Sequence, residues 1–358
     1  MLLKGLRVLD LSTLLPGPMC SLFLADLGAD VIKIESPTGD LMRSFESIDN
    51  KSPYFAALNR NKKSRVLDLK TSKDKKEFMT LAKNSDVIIE GFRPGKIDSL
   101  GIGYKYIKRV NPKIIYCSIT GYGQKGKFKN KAGHDINYSA LCGLLDVMSK
   151  EPFVPGVQIA DVCSALVAAF SILAALIYRE KSGKGNFIDV PIFNSALSMI
   201  NMHIARNSMP KKSKSILSGG KPCYNIYKTK DKRCVSLGAI ERKFWEYFCS
   251  SVKRQDLISR QFDEKAIEDL KIIFRSKTLD EWKKLNEKYD FCCEPVKRLS
   301  EVINDNNINN SGIIINIDGI KQAAFPALFS SSKKINYNRA PKLDEHDNII
   351  RRFKNGRI

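Results

Sequence analysis

The chain is poor in histidine, tryptophan and acid. Three histidines and two tryptophans occur in 358 residues, and 38 Asp and Glu stand against 60 Lys and Arg. No Cys-x-x-Cys pair occurs among the nine cysteines, at 20, 117, 142, 163, 223, 234, 249, 292 and 293. That excludes the usual zinc modules, and no other metal spacing is present. The odd count, with several thiols inside apolar runs, argues against a disulfide framework. With no secretory-type segment at its start, the expected compartment is the reducing cytoplasm. Internal repeats are lacking, as are low-complexity tracts beyond local Lys and Asn richness. Long apolar runs are scarce too. One, 162–178, comes near the lower length limit for crossing a bilayer. Its alanines, with Ser164 and Ser171, suit a closely packed core helix, so no membrane partner is expected. The deficit of acid leaves a net charge of +22. The excess is spread along the chain, and the basic runs carry few aromatics. This argues against a dedicated nucleic-acid surface. A basic field of this kind would instead attract an anionic small ligand.

What is present describes a large α/β protein. The length suits two domains, and 43% apolar with 27% charged residues is ordinary for a globular chain. Apolar runs at 5–11, 31–35, 65–69, 86–90 and 113–119 read as strands. Helical spacing falls between them, at 19–27, 73–83 and 104–110. Pro18 fits the first turn of the first helix and Gly28 its end, and Ser72 is the expected N-cap of the second. Alternating strands and helices predict a doubly wound parallel sheet, in which ligands sit at the carboxyl ends of the strands. A further strand at 186–191 and a helix at 192–205 precede a polar stretch. A smaller unit follows, with strands at 223–227 and 233–237 and helices at 242–252, 264–274 and 279–288. The expected domains are 1–206 completed by 326–358, a linker at 207–220, and 221–325.

Three stretches bear on chemistry. Gly121-Tyr122-Gly123-Gln124-Lys125-Gly126 matches the dinucleotide pattern G-x-G-x-x-G after a strand. It runs on into a polar loop rather than a helix, so a flexible loop close to a ligand is the better reading. His134, in Ala132-Gly133-His134-Asp135-Ile136-Asn137-Tyr138, opens an apolar helical run. The positive end of a helix disfavours imidazolium, leaving the ring free to accept a proton. Asp161 stands at the head of the long apolar run. Taken alone, each also fits a structural role: His134 as a helix-start residue, Asp161 as an N-cap.

Together these segments resemble the family III CoA-transferases and, within them, the α-methylacyl-CoA racemases. The resemblance runs through Leu-Pro-Gly-Pro at 15–18, Leu-Ala-Asp-Leu-Gly-Ala at 24–29, residues 61–70, Gly91-Phe92-Arg93-Pro94-Gly95, Gly121-Tyr122-Gly123-Gln124, the His134 segment, Ala160-Asp161 and Gly238-Ala239-Ile240-Glu241. It implies a Rossmann-like large domain with a smaller α/β domain, in an interlocked homodimer. It implies that His134 accepts the α-proton of an acyl-CoA, that Asp161 is its partner donor, and that Glu241 accompanies them from the small domain. The segments Leu67-Asp68-Leu69-Lys70 and Gly133, Asp135, Ile136, Asn137 and Tyr138 match CoA-contacting stretches, and Arg93 sits in a loop expected to face the nucleotide. One departure stands out: Ser36 occupies the place of an arginine in such racemases, with Lys33 and Arg43 the nearby cations that would have to compensate.

Inverting an α-carbon needs a base on one face and an acid on the other. A histidine and a buried carboxyl provide that pair, and peptide N–H groups near Gly133 and Asp135 are candidate donors to the enolate oxygen. The resemblance implies no metal and no cofactor beyond the CoA of the substrate. The alternative it leaves open is CoA transfer between carboxylic acids, with Asp161 as the nucleophile.

Overall fold

The computed structural model describes residues 1–49, 51–210, 216–331 and 335–347. The Lys-rich run at 211–214 of the expected linker, and the last residues of the expected C-terminal segment, lie outside them.

The chain divides into two compact units, Met1–Asn201 with the segment from Asn307 onward, and Met202–Asn306. In the first, six strands form one parallel sheet: β1 (Arg7–Asp10), β2 (Asp30–Glu35), β3 (Lys63–Val66), β4 (Val87–Glu90), β5 (Ile115–Thr120) and β6 (Asn186–Pro191). Their order is β3-β2-β1-β4-β5-β6. The direction of winding reverses between β1 and β4, so the crevice outside their carboxyl ends is the natural ligand position.

The near-continuous apolar runs have a simple cause. Successive strand residues point to opposite faces, and helices cover both. Val8, Val31, Val87 and Ile115 pack with the helices Pro16–Asp26 and Ile159–Ser182 on one face. Leu9, Ile32, Ile88 and Tyr116 pack on the other, with Phe78 and Leu81 of the helix Ser72–Lys83. That helix is capped by Thr71, whose hydroxyl accepts the Asp74 N–H at 3.2 Å, and not by Ser72. The first helix starts at Pro16 rather than 19, with both prolines in its opening turn, where a missing N–H costs nothing.

The helix Ile159–Ser182 is long and apolar enough to cross a membrane by length and composition alone. Its small residues Ala160, Ala165, Ala168 and Ala175 are buried in the core of the unit, which allows close helix packing.

The second unit has its own sheet, β7 (Tyr224–Lys228), β8 (Cys234–Gly238) and β9 (Cys293–Pro295), all antiparallel. Trp245, Phe248, Phe274, Trp282 and Phe291 form its core. Both indoles donate to backbone carbonyls, of Leu257 at 2.9 Å and Phe274 at 3.0 Å. The hairpin β10 (Ile314–Ile317) and β11 (Ile320–Ala323) belongs with the first unit, although 221–325 was the expected extent of the small domain. Buried Gln322 accounts for this, because its Oε1 accepts from the Arg60 guanidinium at 3.2 Å. Residues 335–347 run along β3. There Asp344 accepts the Val66 N–H at 2.8 Å, and Asn338 donates to Asn61 at 2.7 Å.

Candidate active site

Two cavities open at the switch point, on either side of the loop that leaves β1. The first, ≈ 260 Å³, is lined by Leu11, Ser12, Thr13, Lys33, Ser36, Leu67, Asp68, Leu69, Lys70, Phe92 and Lys96 among others. The second, ≈ 280 Å³, is lined by Ser12, Thr13, Leu14, Phe92, Arg93, Lys129, Lys131, Gly133, His134, Tyr138 and Asp161 among others. Ser12, Thr13 and Phe92 are common to both.

The loop between the cavities rests on a buried ionic network that sequence reading missed. Lys33 pairs with Asp40 at 2.7 Å and donates to the Ser12 carbonyl at 2.9 Å. Lys62 pairs with Asp10 at 3.2 Å and donates to the Pro18 carbonyl at 2.8 Å. Burial would raise the Asp10 carboxyl, but Lys62, Lys33 and the Ser12 and Ser21 hydroxyls hold it at about 2. Burial brings the Lys62 ammonium down to about 8, against the attraction of Asp10. Leu14 sits at φ 64°, an uncommon backbone for a residue with a side chain, and its N–H donates to Asp40 at 3.3 Å. A lysine inside a strand pattern, as at 33, is the one local signal that could have betrayed this network.

Lys33 is thus committed. So is Arg43, which grips both oxygens of Glu35 at 2.7 Å and stacks 3.8 Å over Phe55. Both cations near Ser36 are therefore held by carboxylates of the protein. Among the described residues, no ion pair engages Lys70 or Lys96 of the first cavity.

In the second cavity, His134 is the N-cap residue of the helix Asp135–Leu141, with extended backbone. Its N–H donates to the Asn137 Oδ1 at 3.0 Å. The apolar run expected as one helix breaks at Gly143, whose φ is 82°, before Leu144–Met148. Tyr138 donates its hydroxyl to the Gly133 carbonyl at 2.7 Å. Its ring lies so close that a Cβ on Gly121 or on Gly133 would come within 2.9 Å of it. Burial, then Asp161, pushes the Tyr138 hydroxyl up to about 12.

Asp161 is the third residue of its helix rather than the N-cap, which is Gln158. The capping is done by buried Asp135, whose Oδ1 accepts the Asp161 N–H at 3.0 Å and whose carboxylate also takes the Ala160 N–H. The Asp161 carboxyl is therefore not spent on the helix. Burial, then the neighbouring Asp135, pushes it up to about 7. At neutral pH both its acid and base forms are populated, which suits a proton donor that must also act in reverse.

The residues expected to contact CoA divide between the cavities. Leu67, Asp68, Leu69 and Lys70 line the first. Arg93, Gly133 and Tyr138 line the second, so Arg93 shares a cavity with His134 and not with the Leu67 segment. Asp135 and Asn137 act on the helix start, and Ile136 is exposed. Glu241 lies in the second unit, at the N-cap position of the helix Arg242–Ser251. Its loop is pinned by the buried Gln261 amide, which donates to the Ala239 and Ile240 carbonyls at 3.0 and 2.7 Å. The glycine motif after β5 leads into an irregular loop, with Gln124 held by Ser118 and Asp189, so it offers no helix N-terminus to a pyrophosphate. Buried Glu90, also missed, accepts the Phe92 N–H at 2.7 Å and shapes the turn that carries Phe92 and Arg93; burial pushes its carboxyl up to about 7.

Fold and site together define a class: doubly wound α/β proteins with a ligand crevice at the switch point and an imidazole and a raised carboxyl on one cavity wall. Within that class the chain belongs to the CoA-transferase family III, whose model matches residues 3–347. It is 32% identical over 370 residues to the alpha-methylacyl-CoA racemase of Homo sapiens, covering 99% of this chain and 94% of that one. It is also 32% identical over 364 residues to the succinyl-CoA:glutarate CoA-transferase of Mus musculus, covering 95% and 83%. A CAIB/BAIF family protein from Brucella suis superposes with a TM-score of 0.86 at 28% identity, covering 99% of both chains.

Proposed function

We propose that the protein inverts the α-carbon of a 2-methylacyl-CoA or related 2-substituted thioester. The observation that carries this reading is His134 and Asp161 lining one cavity, with the Asp161 carboxyl free of capping duty and titrating near neutrality. His134 takes the α-proton, and the electron pair of that C–H bond moves onto the thioester oxygen as an enolate. Asp161, protonated, returns a proton to the opposite face. The roles exchange in the reverse direction, and no net proton is consumed. The Asp135 N–H, which opens its helix, is a donor for the enolate oxygen. Proton transfer of this kind calls for no metal or redox group. The nucleotide of CoA occupies the Leu67–Lys70 cavity, and its pantetheine arm crosses Ser12 and Thr13 to reach the second. Glu241 completes the site, within a cytoplasmic homodimer.

The names of the relatives support a second reading, CoA transfer. In it, the Asp161 carboxylate attacks the thioester carbonyl, giving an acyl–aspartyl anhydride and CoA thiolate. The thiolate then takes the aspartyl group and frees the first acid, and an acceptor acid reverses the sequence. One acyl-CoA in D2O without any acceptor acid separates the two. α-Deuteration with loss of chirality supports inversion. Absence of exchange, with CoA moving only after a second acid is added, supports transfer and rejects inversion.

A further inference from the structure

The wall between the two cavities is the short strip that follows β1. Ser12 and Thr13 line both cavities, and Leu14 lines the second. One ion pair holds this strip at both ends. Lys33 donates to the Ser12 carbonyl at 2.9 Å, and Asp40, 2.7 Å from Lys33, accepts the Leu14 N–H at 3.3 Å. Thr13, between the two anchors, is exposed. The anchors are themselves fixed. The Asp40 N–H donates to Glu35 at 3.0 Å, and its Oδ1 also accepts the Met42 N–H at 3.0 Å. The Ser12 N–H donates to Asp10 at 3.0 Å, and the Ser12 hydroxyl donates to the same oxygen. Held this way, Leu14 has a φ of 64°. A leucine in the left-handed region is strained, because its Cβ crowds the carbonyl, and it persists only where its surroundings over-determine it. The side chains of Lys33 and Asp40 are fully buried. Desolvation offsets most of the attraction in such a pair, so its presence points to geometry rather than to stability.

We infer that Lys33 and Asp40 are positioning residues: by holding Leu14 in the left-handed region, they give the strip the shape that lets one acyl-CoA reach from the Leu67 cavity to His134 and Asp161. The inference rests on the reading that an acyl-CoA spans both cavities. It holds whether the thioester is then inverted or transferred. The pair acts through the strip and touches no reacting atom, so it matters for a ligand that must cross the strip and little for one that lies wholly beside His134. The strain also needs holding only where the residue carries a Cβ. Glycine takes a positive φ without steric cost, so a glycine at position 14 keeps the strip's shape without help from the pair.

The test is a mutant cycle between the pair and residue 14, run on the full chain with two thioesters. One is 2-methylbutanoyl-CoA. The other is 2-methylbutanoyl-N-acetylcysteamine, which keeps the reacting end and lacks the nucleotide. Turnover is read both as α-proton exchange in D2O and as transfer to an added acid. Lys33→Met/Asp40→Leu replaces the pair by apolar chains. It should lower kcat/KM for the CoA thioester by roughly 30-fold or more and change the truncated thioester by no more than about threefold. In a Leu14→Gly background, the same replacement should lower kcat/KM for the CoA thioester by no more than about threefold. Each loss is taken relative to its own background, because Leu14 also lines the second cavity. Lys33→Met alone removes one anchor and is held to the same comparisons if the double variant does not fold. Equal losses on both thioesters overturn the inference, and so do equal losses in the two backgrounds. A native protein that handles the truncated thioester as efficiently as the CoA thioester overturns it too, because nothing then depends on crossing the strip. These outcomes sink the inference alone. A native protein inactive on both thioesters sinks the acyl-CoA reading, and the inference with it.

Discussion

The Oδ1 of Asp135 accepts the peptide N–H of Asp161 at 3.0 Å. That bond joins the residue after His134 to the helix that carries Asp161. It leaves the Asp161 carboxyl unused by its own backbone. The same proximity places one carboxyl beside another, which helps raise Asp161.

Replacing Asp135 by Asn keeps an acceptor for the two N–H groups and removes the charge. The apparent pKa assigned to Asp161 in a pH–rate profile should therefore move down, since a like charge no longer opposes its ionisation. Asp135→Ala removes the cap as well and should cost about 1 kcal/mol of stability, read by denaturant unfolding. A profile that does not move in Asp135→Asn removes the coupling.

His134→Ala should reduce α-proton exchange in D2O by roughly 100-fold or more while acyl-CoA still binds. Exchange and equilibrium binding are measured on the same preparation. Retained exchange means that another group is the base.

Burial, then the neighbouring Asp135 carboxylate, pushes the Asp161 carboxyl from its ordinary value near 3.8 up to about 7. The native state therefore holds its proton more tightly than the unfolded chain, and this residue's contribution to stability falls as pH rises from about 4 to about 7. Asp161→Asn should raise Tm by several degrees, more at about pH 8 than at about pH 5, and abolish turnover. Equal gains at both pH values would place the carboxyl's titration elsewhere.

Glu241→Gln should slow catalysis less than His134→Ala, with kcat reduced more than acyl-CoA affinity. An unchanged rate would take Glu241 out of the site.

Lys62→Met leaves the buried Asp10 carboxylate without its ammonium partner. Breaking a buried pair by removing one member costs about 3–5 kcal/mol, so chemical denaturation should show a large loss. A shift well under that would mean that Lys33 and the serine hydroxyls suffice.

Much of the first unit was legible in order of sequence. Strands buried on both faces read as apolar runs, and Pro18 and Gly28 marked the first helix within a few residues. The helix start at 135 was legible to the turn. Boundaries set by contacts at a distance were not. The β10–β11 hairpin looked like part of the small domain, yet Gln322 bonds to Arg60 across a long stretch of chain. Lys33 and Arg43 looked available to a ligand until their carboxylate partners were visible.

By itself, the sequence determined the alternation that makes a parallel doubly wound sheet, because side-chain period and turn chemistry are local. It also contained the histidine and the carboxyl. Only the tertiary structure decided that they share a cavity, that Asp135 relieves Asp161 of capping, and that the loop between the cavities stands on buried ion pairs. Those outcomes depend on burial and on charges brought close by folding. No local pattern encodes the dielectric surroundings of a side chain.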